Sequence, residues 1–160
     1  MTKKVLLAVD LDSPSPRAAS HAVHLAARLK LSLMLMGVAP VDGKRKKKAE
    51  FFLEDLPEAQ RQWLVQVIEQ GRQEGVNPEI FLSTGPFFKE ILSFAQSQPA
   101  IQFIVMGLPD KDLQPYRPGV HCGLDHLQKR FEGEVLIVPQ TGKVMRLAEY
   151  LQPHPPGRET

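Results

Sequence analysis

Asp10 stands at a position where a carboxylate could do chemistry. It comes directly after a continuous apolar run, Val5 to Val9, which is typical of a strand buried on both faces. A carboxylate at the end of such a strand either caps the following turn or accepts hydrogen bonds from a ligand at the edge of the sheet. We interpret the neighbouring Asp12 as a turn residue or a helix-capping acid, while for Asp10 the residues alone leave the turn role and the ligand role open.

Histidine, cysteine and serine side chains are present, but not in spacings that build a metal centre or an activated nucleophile. His21 and His24 would share one helix, and His121 stands beside the single cysteine, Cys122. Neither spacing matches a zinc site, which needs several converging ligands. The serines and threonines lack the strand–turn–helix context of a nucleophile elbow. We therefore predict no metal site and no catalytic residue, and the sequence favours a protein that is not an enzyme.

The charge distribution argues against nucleic acid as a partner. Five adjacent basic residues run from Lys44 to Lys48, yet the formal net charge of the whole chain is +2. Nucleic-acid-binding domains are usually strongly basic, with aromatic side chains among the charges. We interpret the basic run as a solvated loop segment.

The sequence predicts a protein of the cytoplasm that does not insert into a membrane. The first apolar run is interrupted by Asp10 and Asp12, whereas a signal peptide needs roughly 7–15 apolar residues. No run approaches the ~20 apolar residues of a membrane span. A single cysteine excludes a disulfide framework within the chain and fits a reducing compartment.

Apolar runs alternate with amphipathic segments along the chain. The runs predict five strands, at residues 5–9, 31–38, 80–82, 101–106 and 135–138. The segments between them predict helices at 16–30, at about 51–73, after Gly85-Pro86, and around 124–131. Ser15 is the expected N-cap of the first helix and Pro16 its first residue. Such alternation predicts a doubly wound α/β domain, in which helices cover both faces of a parallel sheet.

We expect this domain to occupy residues 1–140, because a chain of this length suits one domain. Residues 141–160 predict a C-terminal tail. Val144, Leu147, Ala148 and Leu151 have the spacing of a short amphipathic helix, and the proline-rich end from Pro153 onwards cannot continue it.

Three segments taken together resemble the universal stress protein family. KVLLAVD at 4–10, followed by a serine-bearing loop and an alanine-rich helix, is similar to the opening of the family. TGPFFKEILSFA at 84–95 resembles its Gly-x-Pro, Ile, Ala helix. IVMG at 104–107 and VLIVP at 135–139 resemble its fourth and fifth strands. The order and spacing of these pieces, over roughly residues 3 to 139, make the resemblance specific.

The resemblance implies a five-stranded parallel sheet of order 3-2-1-4-5, of the adenine nucleotide α-hydrolase-like type. Ligands of such sheets bind where the strand order reverses, which is here between the ends of strands one and four. By the resemblance, the nucleotide-binding positions are Asp10, Leu11, Val38, Met106, Gly107, Lys111, Arg117 and Gly119, and the ligand would be ATP or AMP. The family also commonly forms homodimers through its last strand, which is here the edge strand Val135–Val138.

The sequence departs from the family's phosphate-binding pattern, which is Gly-x-x-Gly, nine residues, then Gly-Ser/Thr. Asp110 stands at the second glycine, and Val120 and His121 stand where Gly and Ser/Thr are expected. Glycines let backbone N–H groups approach a phosphate, and a carboxylate at 110 would repel it. Lys111 and Arg117 could offset this repulsion by pairing with the phosphate.

Two functions remain open after this departure. The first is a non-enzymatic, dimeric stress-response or regulatory protein, with a degraded phosphate loop, that acts through contacts with a protein partner. The second is an ATP- or AMP-binding switch with little or no hydrolysis. An enzyme of the ATP pyrophosphatase type is disfavoured, because no Ser-Gly-Gly-like loop follows the first strand.

Overall fold

The predicted α/β architecture is confirmed in a computed structural model, which describes residues 3–39, 53–108 and 120–151. Strands and helices alternate through these residues, and residues 53–55 form a short 3-10 helix. The elements are β1 (Lys4–Asp10), α1 (Pro16–Leu29), β2 (Ser32–Ala39), α2 (Glu58–Gln73), β3 (Glu79–Thr84), α3 (Phe87–Ser97), β4 (Ile101–Leu108), α4 (Val120–Arg130), β5 (Glu134–Pro139), β6 (Met145–Arg146) and α5 (Leu147–Leu151).

One sheet contains all of these strands, in the order β3-β2-β1-β4-β5-β6. The first five strands of this order are parallel, so the predicted 3-2-1-4-5 arrangement is confirmed. The predicted count of five is short by one, because β6 adds an antiparallel strand next to β5. β6 contains two residues, too few to show the alternation by which a strand is recognised in a sequence.

Two apolar layers hold helices against the sheet. Val5, Leu7 and Val9 of β1 point into the layer that α1 and α2 cover. Leu6 and Ala8 point into the opposite layer, beneath α3, α4 and α5. All five of these residues are buried, which explains why β1 reads as a continuous apolar run rather than an alternating one.

The start of α1 follows the prediction closely. Ser15 is the N-cap, and its Oγ accepts a hydrogen bond from the backbone N–H of Ala18 at 3.1 Å. Pro16 is the first helical residue, where its missing N–H costs nothing. Small side chains make up the buried stripe of the helix, so its axis can lie close to the sheet; they include Ala18, Ala19, Ala22 and Ala26.

The C-terminal segment packs against β5, so the prediction that Val135–Val138 is an exposed edge strand is wrong for its middle. Leu136 and Ile137 pair with Arg146 and Met145 of β6. In α5, Leu147 is 1% exposed and Tyr150 is 3% exposed. The outer edge of β5 is therefore covered by the chain itself.

Arg17 holds the turn between β5 and β6. Its guanidinium donates one hydrogen bond to the carbonyl oxygen of Pro139 and another, at 3.0 Å, to that of Gly142. Because two N–H groups of one planar fork are used, the first turn of α1 fixes the path of the chain as it leaves β5. None of the helices that the structure describes is long and apolar enough to cross a membrane.

Candidate functional site

The candidate site lies where β1 and β4 end side by side. Ala8 of β1 is paired with Met106 of β4, which places Asp10 and Gly107 at the same edge of the sheet. From there α1 turns to one face of the sheet and α4 lies on the other. The structure therefore has the reversal of strand order at which doubly wound sheets bind ligands.

Asp10 caps the turn that leads into α1. Its Oδ1 accepts a hydrogen bond from the backbone N–H of Asp12 at 3.0 Å. Its own carbonyl oxygen accepts another from the N–H of Ser13 at 3.0 Å. The sequence allowed Asp10 either to cap this turn or to bind a ligand. The hydrogen bonds observed are those of a turn cap, which needs no ligand.

Three of the predicted nucleotide-binding residues are core residues. Leu11, Val38 and Met106 are 1%, 2% and 0% exposed. The N–H of Leu11 donates to the carbonyl oxygen of Val38 at 3.0 Å, which continues the pairing of β1 with β2. Side chains buried to this degree contact their neighbours in the core, so they offer a ligand little surface.

Gly107 is explained by packing. A Cβ built at this position would overlap the Cβ of Ser15 and lie 2.6 Å from its Oγ. The N-cap of α1 therefore rests directly on the backbone of β4, and any side chain at 107 would push the helix away. Gly123 on α4 has a similar role, because a Cβ there would come 2.5 Å from Cδ2 of Phe88.

The remaining predicted site residues, Lys111, Arg117 and Gly119, lie outside the described residues, as does Asp110. The same holds for the basic run Lys44 to Lys48. The family pattern assigns the segment after β4 to phosphate binding. The structure describes the start of this segment, at Gly107 and Leu108, and then the beginning of α4 at Val120.

A buried carboxylate that the sequence did not single out lies at the end of β3. Glu90, in the first turn of α3, is 6% exposed, and the Ser83 hydroxyl donates a hydrogen bond to its Oε1 at 2.5 Å. Gly85 has a φ of 146°, and a Cβ there would approach Oε2 of Glu90 to 3.0 Å. The nearest sequence signal is Gly85 itself, since a glycine before a helix often marks backbone that other residues cannot adopt.

An open groove runs beside this carboxylate, between β3 and α3. Its volume is about 340 Å³, and Phe81, Ser83, Glu90, Ser93 and Phe94 contribute to its lining. The ring centroids of Phe81 and Phe94 are 4.9 Å apart. The groove combines an aromatic floor with hydroxyl and carboxylate groups, and it lies at the far end of the sheet from β5.

The histidines and the cysteine do not converge on one site. His21 is partly buried, and this burial, followed by the charges of His24 and Arg28, lowers its pKa below the ordinary value of 6.5. His24 pairs with Glu74, with 2.6 Å between Nδ1 and Oε1. Across residues 3–39, 53–108 and 120–151, no group of three or more His, Cys, Asp or Glu side chains is arranged to hold a metal ion.

Comparison with known proteins gives one family. The model of the universal stress protein family matches residues 1–114 of the chain. No curated protein matches the sequence.

Solved structures of universal stress proteins share this fold. The chain is similar to the universal stress protein UspA from Lactobacillus plantarum, with a TM-score of 0.60 and 19% identity, over 86% of this chain and 99% of that one. It is similar to a universal stress protein from Archaeoglobus fulgidus in complex with dAMP, with a TM-score of 0.54 and 19% identity, over 86% and 97%. A universal stress protein in complex with cAMP gives a TM-score of 0.53 and 16% identity, over 85% and 96%. At these identities the likeness establishes a shared fold.

Proposed function

The chain belongs to the universal stress protein family, and we propose that it is a non-enzymatic member of that family. In this proposal it regulates a stress response through contacts with a protein partner rather than through a bound nucleoside triphosphate. The observation that carries this proposal is the close packing at the carboxyl ends of β1, β2 and β4. Leu11, Val38 and Met106 are core residues at these ends, and Ser15 rests against Gly107. A ligand binding at these ends would have to displace packed side chains, which costs free energy.

The sequence around the phosphate positions supports the same proposal. Asp110 places a carboxylate where a phosphate loop needs a close backbone approach, and His121 stands where a hydroxyl is expected. With the first glycine of the pattern already explained by packing against Ser15, little of the phosphate pattern remains that points to a ligand.

In this proposal the protein is a cytoplasmic homodimer that presents a surface to a protein partner. A dimer through Val135–Val138 would form by exchanging β6 for the strand of a second copy, since β6 pairs with Leu136 and Ile137. Strand exchange of this kind is geometrically straightforward, because both partners offer the same backbone groups.

The alternative is a switch that binds AMP or ATP without appreciable hydrolysis. It is favoured by the solved structures of similar fold that contain dAMP and cAMP. Asp10 would then contact the adenine and ribose side of the ligand, while Lys111 and Arg117 would offset the charge of Asp110 near the phosphate.

A thermal-shift titration with AMP, cAMP and ATP, with and without magnesium, decides between these functions. A nucleotide that binds the folded chain stabilises it by an amount that grows with concentration over Kd. We expect no saturable shift at millimolar nucleotide. A saturable shift that is lost in Asp10→Ala would overturn this and establish the switch.

The control is Asp12→Ala, which removes the neighbouring carboxylate and leaves Asp10 in place. Asp10→Ala removes a turn-capping hydrogen bond and so lowers the melting temperature by itself. The ligand-induced shift of each variant is therefore compared with that variant's own unliganded value.

A further inference from the structure

The C-terminal segment 140–151 covers the edge that the proposed homodimer would use. β6 pairs with Leu136 and Ile137 in the middle of β5. α5 then continues past this edge and buries Leu147 and Tyr150 in the apolar layer that α4 also covers. A strand edge offers a single outer row of backbone groups, so a second copy cannot pair with these residues while β6 is in place. We call residues 140–151 the strap.

The strand pairing of the strap is short. β5 contains six residues, from Glu134 to Pro139, whereas β6 contains two, which pair with Leu136 and Ile137. Pairing over Val135–Val138 with a second copy would use a longer stretch of the same edge. The backbone hydrogen bonds of β6 are therefore replaceable, and burial of the α5 side chains has to keep the strap in place.

The strap can leave β5 without unfolding the sheet. Residues 140–143 are all exposed and belong to no helix or strand, and a hinge of a few such residues absorbs changes of backbone angle. On its other side β5 stays paired with β4 at six positions, from Glu134 to Pro139. Opening of the strap therefore exposes the β5 edge while the five parallel strands remain together.

Arg17 acts as a latch on this hinge. Its guanidinium donates hydrogen bonds to the carbonyl oxygens of Pro139, the last residue of β5, and of Gly142, within the hinge. Arg17 itself belongs to α1, which packs on the sheet and lies outside the strap. Removing its side chain therefore frees the hinge and leaves the residues of β5, β6 and α5 unchanged.

We infer that the strap closes the dimer edge of β5 and that its opening controls the assembly of this protein into a homodimer. This inference rests on the homodimer of the proposed function and adds the regulation of that surface. Because both copies have to open before two β5 edges can pair, the apparent dimer dissociation constant varies with the inverse square of the open fraction. A small change in the hold of the strap thus produces a larger change in dimerisation.

A reversible disulfide that locks the strap gives the first test. Leu136→Cys with Arg146→Cys, in a Cys122→Ser background that removes the exposed native thiol, places two thiols at directly paired positions of β5 and β6. Opposite residues of antiparallel strands have Cα atoms about 4.5–5.5 Å apart, which is within disulfide range. Sedimentation equilibrium of the oxidised and reduced forms compares one protein with its strap locked and free. We expect the oxidised form to stay monomeric at tens of micromolar and the reduced form to dimerise, and non-reducing electrophoresis checks that the disulfide lies within one chain.

Arg17→Ala tests the latch in the opposite direction, with Arg28→Ala as the matched control. Arg28 is an exposed residue in the last turn of the same helix, so its loss removes the same charge away from the hinge. We expect Arg17→Ala to lower the dimer dissociation constant by about tenfold or more, because each closed strap loses two hydrogen bonds and both copies contribute. Arg28→Ala should stay within about twofold of the parent chain, and circular dichroism checks that each variant is folded.

The outcomes separate the strap from the homodimer itself. Equal dimerisation of the locked and reduced forms, with Arg17→Ala no tighter than Arg28→Ala, overturns the strap and leaves the homodimer in place. A reduced form and an Arg17→Ala variant that both stay monomeric at tens of micromolar overturn the strap together with the homodimer. The nucleotide titration remains a separate test of the ligand.

Discussion

The two ends of the sheet differ in how their edges are treated. At one end β5 is paired with β6, and α5 buries Leu147 and Tyr150 beside it. At the other end β3 pairs only with β2 within residues 3–39, 53–108 and 120–151, and Ile80 and Leu82 are partly exposed. Unpaired edges attract other strands. The comparison teaches that the chain's last parallel strand is not automatically its pairing edge, because a few residues beyond it can fill that position.

The covered end is held by several contacts of different kinds. Leu147 packs in the apolar layer beneath α4, and Arg17 hydrogen-bonds the carbonyl oxygens of Pro139 and Gly142. Arg146 lies 3.6 Å from Glu134 and 3.4 Å from Glu149. These ion pairs are on the surface and contribute little, so burial of Leu147 and Tyr150, together with the Arg17 fork, supplies most of the attachment.

The largest effect on the free energy of unfolding should come from a cavity at the covered end of the sheet. Leu147→Ala removes a side chain that is 1% exposed, and a buried leucine replaced by alanine typically costs about 2–5 kcal/mol, because a cavity is added to the lost apolar burial. Urea denaturation gives the change in unfolding free energy. Hydrogen exchange should also quicken at the amides of β5 that face β6, since their cover is loosened.

Leu29→Ala is the matched control, because Leu29 is 45% exposed and its truncation should change stability by less than about 0.5 kcal/mol. If Leu147→Ala were as mild as this control, the C-terminal segment would not be an integral part of the folded domain. The contrast between a covered and an open edge would then fail.

The second effect concerns the open end. Ser83→Ala takes away the hydroxyl that donates to the buried carboxylate of Glu90 at 2.5 Å. Removing the donor to a buried acceptor, which is then left without that hydrogen bond, typically costs about 1–3 kcal/mol. Chemical denaturation of Ser83→Ala measures the cost.

Ser97→Ala provides the comparison within the same groove. Its hydroxyl is exposed and bonds to the carbonyl oxygen of Phe94 in its own helix, so its loss should be close to neutral. Equal effects of the two substitutions would mean that the buried carboxylate does not depend on Ser83.

Much of the fold could be predicted because its signals are local. Val5 to Val9 form a buried strand, and Ser15 with Pro16 marks a helix start by residue type alone. β6 could not be predicted, because Met145 and Arg146 become a strand only by pairing with a strand several residues earlier in the chain. Non-local pairing leaves no periodicity in two residues.

The candidate site was less predictable than the fold for a similar reason. Asp10 and Gly107 were placed correctly at the carboxyl edge of the sheet, but their neighbours were not foreseen. The contact of Ser15 with Gly107 joins residues that are far apart in the sequence. The burial of Glu90 likewise depends on the turn at Gly85 and on Ser83. A sequence pattern does not distinguish a glycine that lets a phosphate approach the backbone from one that makes room for the N-cap residue of a helix.

The smallest effect should come from His21 on α1, the helix whose first turn also anchors the covered end through Arg17. Burial, His24 and Arg28 lower the pKa of His21, so the unfolded chain takes up a proton at a higher pH than the folded chain does. Stability is therefore unaffected well above the ordinary pKa of about 6.5 and falls as the pH drops through it.

His21→Gln should remove this loss of stability, so that urea midpoints of the parent chain and the variant converge or cross as the pH is lowered. The same substitution at the exposed His126 tests whether any histidine has this effect. A parent chain that gains stability relative to His21→Gln on acidification would reverse the sign and show that His21 is stabilised, not penalised, in its charged form.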